Sequence, residues 1–362
     1  MSIAVVGAGI VGLSTAYGLV ERGASVRVYE SGKPGNGQSG GEGRIFRHAH
    51  DDPRLVRFAV GSRAVWNEWQ ERLGVELVSA DGVVALGPPA ERRLRVLDDV
   101  GGAPARAIEP AEVAERLPLL AGYTGPAVLD EDGGAIRTSA AVESLAAALG
   151  GRLVTDEVIA VRPLGGGRVE VQAGGSRAEH SSVVVCAGRG TARLARGVGL
   201  AIPVRAAAHV RLTFAVRGEP PARLACLQDG SGHFGETGTY GTPAPGNRRY
   251  SLGLSHTVEV DDDGSLADPG ALGALGDRAA AYVAEALPGL DPEPVGYRHC
   301  WVTELPWGPD GVAVWEADTM FFVAGHNLFK QAPALGRALA LAALGEGVAG
   351  DLRPEAKLGQ AG

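Results

Sequence analysis

Three features of the chain predict an α/β fold. The first 30 residues read as strand, glycine-rich turn, helix, strand. The middle of the chain alternates short strand candidates with Gly/Pro turns, and a strand followed by a helix closes it. Together they predict a Rossmann-type βαβ domain interleaved with a mixed or antiparallel β-sheet domain.

Residues 2–6 (Ser-Ile-Ala-Val-Val) read as a short buried strand, Gly12–Arg22 as a helix stopped by Gly23, and 25–30 as a second strand. Residues 31–43 form a loop of Gly, Ser and Asn. Asp52 caps a helix with Pro53 at its first position. Within it Leu55, Phe58, Ala59, Val65, Trp66, Trp69 and Leu73 recur at helical spacing, a core-facing stripe. Asp81-Gly82 signals a hairpin between two short strands. A helix over 138–149 runs into Gly150-Gly151, and 152–162, 168–173 and 182–187 are strand candidates. Residues 203–260 alternate strands and turns, a helix fits 270–287, and 293–303 adds a strand. Strand 320–325 and helix 333–345 complete the pattern. Segments 1–75, 138–202 and 300–362 are expected to build the βαβ domain, and 76–137 and 203–299 the second domain.

Bulk composition narrows the function. The chain has 362 residues, enough for a large buried core, with 45% apolar and 21% charged residues. A net charge of −8 argues against a nucleic-acid partner, which would require a basic face. Of 34 basic residues only Lys33, Lys330 and Lys357 are lysines, so a lysine inside a motif carries more information than an arginine. Three cysteines, Cys186, Cys226 and Cys300, have no C-x-x-C spacing, which predicts no metal site and fits a reducing, cytoplasmic compartment. The apolar start lacks the basic leader of a signal peptide, and no stretch predicts a membrane span. A monomer or small homo-oligomer is expected.

The sharpest local signal is Gly7-Ala8-Gly9-Ile10-Val11-Gly12, a G-x-G-x-x-G turn. It follows a strand, opens a helix, and has Glu30 at the end of the next strand. Gly7 permits the tight turn, Gly9 lets backbone approach a pyrophosphate, and Gly12 allows close helix–strand packing. Ile10 and Val11 begin the helix whose free N–H groups and dipole attract phosphate, and Glu30 can accept from a ribose. The turn alone fits FAD or NAD. The absence of a convincing second fingerprint favours FAD, since Gly188-Arg189-Gly190 is a poor match. The spacing from Val5 through Ala16, Leu19, Gly23 and Val26 to Glu30 also resembles glutathione-reductase-type FAD domains.

A more specific resemblance begins at Gly41-Glu42-Gly43-Arg44-Ile45-Phe46-Arg47-His48. This segment is similar to the G-x-x-R-x-x-R-H motif of the monomeric sarcosine oxidase and N-methyltryptophan oxidase family, within the D-amino-acid-oxidase-like flavoproteins. Arg298-His299-Cys300-Trp301-Val302-Thr303 resembles the segment carrying that family's flavin-linking cysteine. Ala324-Gly325-His326-Asn327-Leu328-Phe329-Lys330 resembles its G-x-G-H-G-F-K loop, and Cys186-Ala187-Gly188 its second cofactor strand. The two ends of the chain carry the specific matches.

The resemblance implies FAD, covalently attached through Cys300, and roles for particular residues. Arg47 would pair with a substrate carboxylate, for which its planar fork is suited. Lys330, with Gly325 in the same loop, would place positive charge near the flavin pyrimidine and the carboxylate. Arg44 would lie near the flavin ring, and Tyr240, in Tyr240-Gly241-Thr242-Pro243, would line the substrate pocket. The implied reaction is oxidation of a C–N bond in a small carboxylate-bearing amine or imino acid by hydride transfer to the flavin.

The sequence departs from the family at four places. A strand lysine associated with oxygen reactivity is missing from Arg248-Arg249-Tyr250-Ser251-Leu252-Gly253-Leu254, where Ser251 is its counterpart. Val302 replaces a tyrosine, and the loop before Lys330 is shorter and lacks two glycines. Gly40 and Gly43 stand where a His and a Thr are expected, which predicts a larger or more apolar pocket on that side and argues against sarcosine as substrate. The missing lysine keeps open a biosynthetic tailoring dehydrogenase or desaturase that passes electrons to an acceptor other than oxygen. A non-catalytic flavin-binding module and an NAD-dependent dehydrogenase are the remaining alternatives. No residue is singled out as general base; His48, His256 and His326 are candidates by type alone.

Overall fold

In the computed structural model, which describes residues 2–261 and 265–360, a six-stranded sheet runs in the order Val312–Ala317, Met320–Gly325, Ser182–Val185, Ile3–Val6, Val26–Glu30, Leu153–Thr155. All neighbours are parallel except the antiparallel Val312–Ala317 edge. Ile3–Val6 sits at its centre with all of its residues buried, as expected for a parallel strand covered on both faces. Strand alternation divides those residues between two cores. Val5 faces the helices Ile10–Glu21, Pro53–Leu73 and Thr138–Leu149 with Leu13, Leu19, Trp66, Trp69 and Leu145. Ala4 and Val6 face a three-stranded antiparallel sheet with Val161, Val169 and Val171.

The opening turn is built by contact. Gly7 has a φ of +97°, and a Cβ there would lie 2.5 Å from the Cys186 carbonyl oxygen. At Gly12 a Cβ would lie 1.9 Å from the carbonyl oxygen of Gly7, so no side chain fits. Farther along, the first helix packs on the Ala332–Leu341 helix through Gly336, whose added Cβ would meet Ser14 at 2.5 Å. The Pro53–Leu73 helix forms as its sequence predicts, with Asp52 accepting from the Arg54 amide at 2.9 Å and Gly74 ending it in the left-handed region. Its tryptophans are fully buried.

A nine-stranded sheet forms the second body of structure. Its order is Val258–Glu259, Arg205–Val216, Arg249–Leu254, Thr239–Pro243, Cys226–Asp229, Val83–Leu86, Ala127–Asp130, Ala105–Ala107, and Leu290–Glu304 lies along Arg205–Val216. One pairing, Cys226–Asp229 with Val83–Leu86, is parallel. The helix Pro269–Ala286 packs on this sheet. The expected hairpin at Asp81-Gly82 does not form. Val83–Leu86 pairs with Ala127–Asp130 and Cys226–Asp229, whereas Val78 bridges to Ile136. The Gly82 turn separates strands of different sheets, a distinction local turn chemistry does not encode. The helices Pro88–Val100 and Pro110–Arg116 were not expected from periodicity.

Gly336→Ala should destabilise the protein by about 1–3 kcal/mol, because a methyl has no room against Ser14. Gly61→Ala, in an exposed helix interior with nothing within 4 Å, should instead stabilise by ~0.5–1 kcal/mol. Thermal unfolding of the two variants tests the opposite signs.

Candidate functional site

The carboxyl ends of the parallel strands open into a cavity of about 1200 Å³ that continues under the nine-stranded sheet. This exceeds the range of roughly 300–1,000 Å³ that suits one drug-sized ligand. Gly7, Gly9, Ile10, Val11 and Glu30 line one end; Arg44, Arg47, Tyr240, Cys300, Gly325 and Lys330 line the other. Every one of these residues singled out in the sequence therefore borders one space. Gly12 lies just beneath it, packed on Gly7.

The nucleotide end fits an adenine dinucleotide. A Cβ on Gly9 would press on Ser39 Oγ at 3.1 Å, so the glycine keeps the backbone accessible. Glu30 Oε2 accepts from the Ala8 amide at 2.7 Å and its Oε1 from the Gly32 amide at 3.0 Å, which fixes the carboxylate at the cavity wall. The amide of Ile10 donates to Ser39 Oγ at 2.9 Å. Cys186, in the segment that resembles a second cofactor strand, lines the cavity just past Ser182–Val185, and burial pushes its thiol up to about 12.

At the other end a carboxylate absent from the sequence reading organises the site. Asp310 Oδ2 accepts from Arg47 Nη2 at 2.9 Å and lies 3.1 Å from His50 Nδ1. Its Oδ1 accepts from Asn327 Nδ2 at 2.9 Å and from Lys330 Nζ at 3.4 Å. Burial alone would raise the Asp310 carboxyl, but Lys330 and Arg47 outweigh it and hold it well below the usual range. Lys330 is lowered to about 8 by burial, against the opposing pull of Asp310. His50 falls to about 3 through burial and the Arg47 charge, so it is neutral. The backbone of Lys330 is fixed from the tryptophan helix: Ser62 Oγ donates to its carbonyl at 2.7 Å and Trp66 Nε1 at 3.2 Å.

The sheet-side wall is a cross-strand row. Tyr240 opposes Gly253, Gly253 opposes Arg211, and Arg211 opposes Arg298; two residues along, His209 opposes Cys300. Tyr240 lies over Gly253, and its hydroxyl is 3.0 Å from His209 Nδ1. Burial, then Arg211, brings His209 down to about 3, and burial brings His326 to about 4. Arg44, lowered to about 9 by burial and by Arg211, donates to the carbonyls of Gly40 at 2.7 Å and Gly43 at 2.9 Å.

Three expectations change here. Gly40 and Gly43 do not enlarge the pocket or make it more apolar: a Cβ on Gly40 would lie 1.9 Å from Arg298 Nη2, and one on Gly43 would lie 3.0 Å from Thr242 Oγ1. The glycines admit neighbouring polar side chains. Ser251 is turned to Thr213, with the hydroxyls 2.9 Å apart, and does not line the cavity. Of the histidines named by type, His48 is held by Asp130 at 2.9 Å and His256 is exposed, which leaves His326 on the cavity wall. His209, Arg211 and Asp310 were missed. Polar residues at 209, 211 and 213 in a stretch otherwise apolar from Ala206 to Val216 mark one inward face, a readable signal. Pro309-Asp310-Gly311 reads only as a turn.

Comparison with known proteins agrees with this geometry. A family model described as FAD dependent oxidoreductase matches residues 2–342. A glycine oxidase of Geobacillus kaustophilus (strain HTA426) is 29% identical over 272 residues, 68% of either chain. Among solved structures, NikD, "an unusual amino acid oxidase essential for nikkomycin biosynthesis", superposes with a TM-score of 0.82 at 21% identity, covering 99% of this chain and 96% of its own. L-proline dehydrogenase from P. horikoshii superposes at 0.77 and 19% identity, over 96% and 94%. Since the family model runs through both the dinucleotide turn and the Lys330 loop, this chain belongs to the FAD-dependent oxidoreductases.

Proposed function

We propose that the protein oxidises the C–N bond of a small carboxylate-bearing amine or imino acid. The observation that carries this reading is the charge balance around Asp310. Arg47 and Lys330 contribute two positive charges, Asp310 one negative charge, and His50 none. The buried cluster keeps one net positive charge at the cavity, matched to one substrate carboxylate. The amino-acid substrates named for the glycine oxidase, NikD and proline dehydrogenase support the same class.

Bound FAD supplies the two-electron acceptor. The protein's task is to hold the substrate carboxylate so that its α-C–H bond faces that acceptor. Arg47 is already fixed by Asp310 and the Ala49 carbonyl, and Lys330 by Asp310 and the Asn327 carbonyl at 3.2 Å, so neither has to be ordered on binding. His209 and His326 present neutral imidazoles, and Tyr240 a hydroxyl, where the amine must lie unprotonated. Cys300 lies on the cavity wall opposite His209 and would be the residue to hold FAD through a thioether. The free cysteines agree with a cytoplasmic setting, and the two large sheets with the interleaved domain division read from the sequence. Among the described residues no helix is long and apolar enough to cross a membrane.

A second reading, a tailoring dehydrogenase with an acceptor other than oxygen, is favoured by Ser251, which offers no charge and no cavity contact. Reduced protein that reoxidises slowly in air but promptly with an artificial acceptor would select it.

Arg47→Ala should raise KM for the amino acid at least about tenfold, with a smaller change in kcat; an unchanged KM removes the arginine from carboxylate binding. Lys330 loses its proton as pH rises through about 8, so binding of a simple carboxylate inhibitor should weaken above that pH. Asp310→Asn removes the charge that supports the ammonium, and the same decline should move to lower pH; titration by flavin absorbance reads both. After acid precipitation the yellow colour should stay with wild-type protein and pass to the supernatant in Cys300→Ser. Colour in the wild-type supernatant rules out the thioether.

A further inference from the structure

The cavity holds a second group of cations, and this one has no internal counter-ion. Arg44, Arg211 and Arg298 all line the space beside Cys300 and Tyr240. Among the described residues none of the three has a carboxylate partner. Arg44 and Arg211 donate to backbone carbonyls, Arg211 Nη1 to Gly43 at 2.6 Å. Arg211 is 8% exposed, and its Nε is buried without a hydrogen-bond partner. Its guanidinium lies 5.2 Å from the centre of the Tyr240 ring. Arg298 occupies the volume that any side chain at position 40 would take.

Placing like charges together out of water is costly unless an anion joins them, and a buried donor without an acceptor is costly on its own. The Arg47–Lys330 cluster meets this requirement from within, through Asp310. The second cluster meets it only through a bound molecule. The glycine turn and the N-terminus of the Ile10–Glu21 helix would hold the pyrophosphate of FAD. Arg211 and Arg298, by contrast, come from strands of the nine-stranded sheet, the wall that carries Tyr240.

We propose that Arg211 and Arg298, with Arg44, form a second anion subsite, and that the substrate is a dicarboxylic amine or imino acid. One carboxylate meets Arg47 and Lys330, and the other meets Arg211. This rests on the reading of the site as an amino-acid oxidoreductase, yet it is measured by binding alone and without turnover. Guanidinium forks take a carboxylate in bidentate fashion, and the free Nε of Arg211 is one arm of such a fork.

The test titrates the FAD-loaded protein with acetate, succinate and glutarate, followed through the flavin absorption. The better dicarboxylate should bind wild-type protein at least about tenfold more tightly than acetate. In Arg211→Met that ratio should fall towards one, and Arg298→Met should lower it as well, so failure of one variant to fold leaves the other to decide. Arg211→Lys, which keeps charge but loses the fork, should fall between. Equal binding of acetate and both dicarboxylates to wild-type protein overturns the proposal. So does a ratio that survives in Arg211→Met, or failure of that variant to retain FAD, which would assign the arginine to the cofactor. Failure of every amine to reduce the flavin would count against the oxidoreductase reading and leave the binding ratio standing.

Discussion

The Asp310 carboxylate is the interaction on which the catalytic end of the cavity depends. It lies in the turn before the Val312–Ala317 strand and receives donors from two other parts of the chain: Arg47 and His50, which follow the Arg44–Phe46 strand, and Asn327 and Lys330, which follow the Met320–Gly325 strand. Without this carboxylate, a buried guanidinium and a buried ammonium would repel one another and the loops that carry them. With it, they form a compact group with one excess charge. The geometry explains how a shortened Lys330 loop can still present its lysine. Asn327 has a positive φ of 54° and turns its side chain to Asp310, while its carbonyl receives the Lys330 ammonium. The loop is closed by a carboxylate from outside it.

The two ends of the site were legible in the sequence to different degrees. At the nucleotide end the chemistry is local. Gly7, Gly9, Gly12 and Glu30 act within one βαβ unit, so spacing along the chain corresponds to spacing in the fold. Arg47, Tyr240, Cys300 and Lys330 come from separate segments, and no periodicity brings them together; only a resemblance placed them in one cavity. Asp310 was invisible because a Pro-Asp-Gly turn is satisfied by its own backbone chemistry and gives no sign that its side chain turns into a cavity. His209 and Arg211 fall between these cases, since alternation placed them on one face and only the sheet register shows which wall that face forms.

The substitutions at positions 40 and 43 show why a missing side chain does not imply an empty space. Close packing leaves few voids, so volume released by a glycine is taken up by whatever can reach it. At Gly40 that is Arg298 from the Leu290–Glu304 strand, and at Gly43 it is Thr242. Polar groups expected from the loop are thereby supplied from the sheet. The wall stays polar, but its charge now belongs to strands whose positions are fixed by backbone pairing, and a more rigid platform for ligand recognition results.

The contrast between the two arginine clusters bears on what each is for. A cation group that carries its own carboxylate is tolerable with or without a ligand, so the Asp310 cluster can be preformed and wait for the substrate. The group around Arg211 is compensated by carbonyl dipoles and the Tyr240 ring with no carboxylate among the described residues, and Arg44 is pulled down to about 9 by burial and its neighbour. Such an arrangement weakens the unliganded protein, and neutral apolar residues of similar volume would be cheaper there. Uncompensated charge facing a cavity is therefore stability given up for binding, the usual relation at functional sites. The same reasoning separates the positions in a variant series. Substitutions at Asp310 expose a conflict already inside the protein and should loosen the site, whereas neutral substitutions at Arg211 remove a conflict and should leave the ligand-free fold at least as stable.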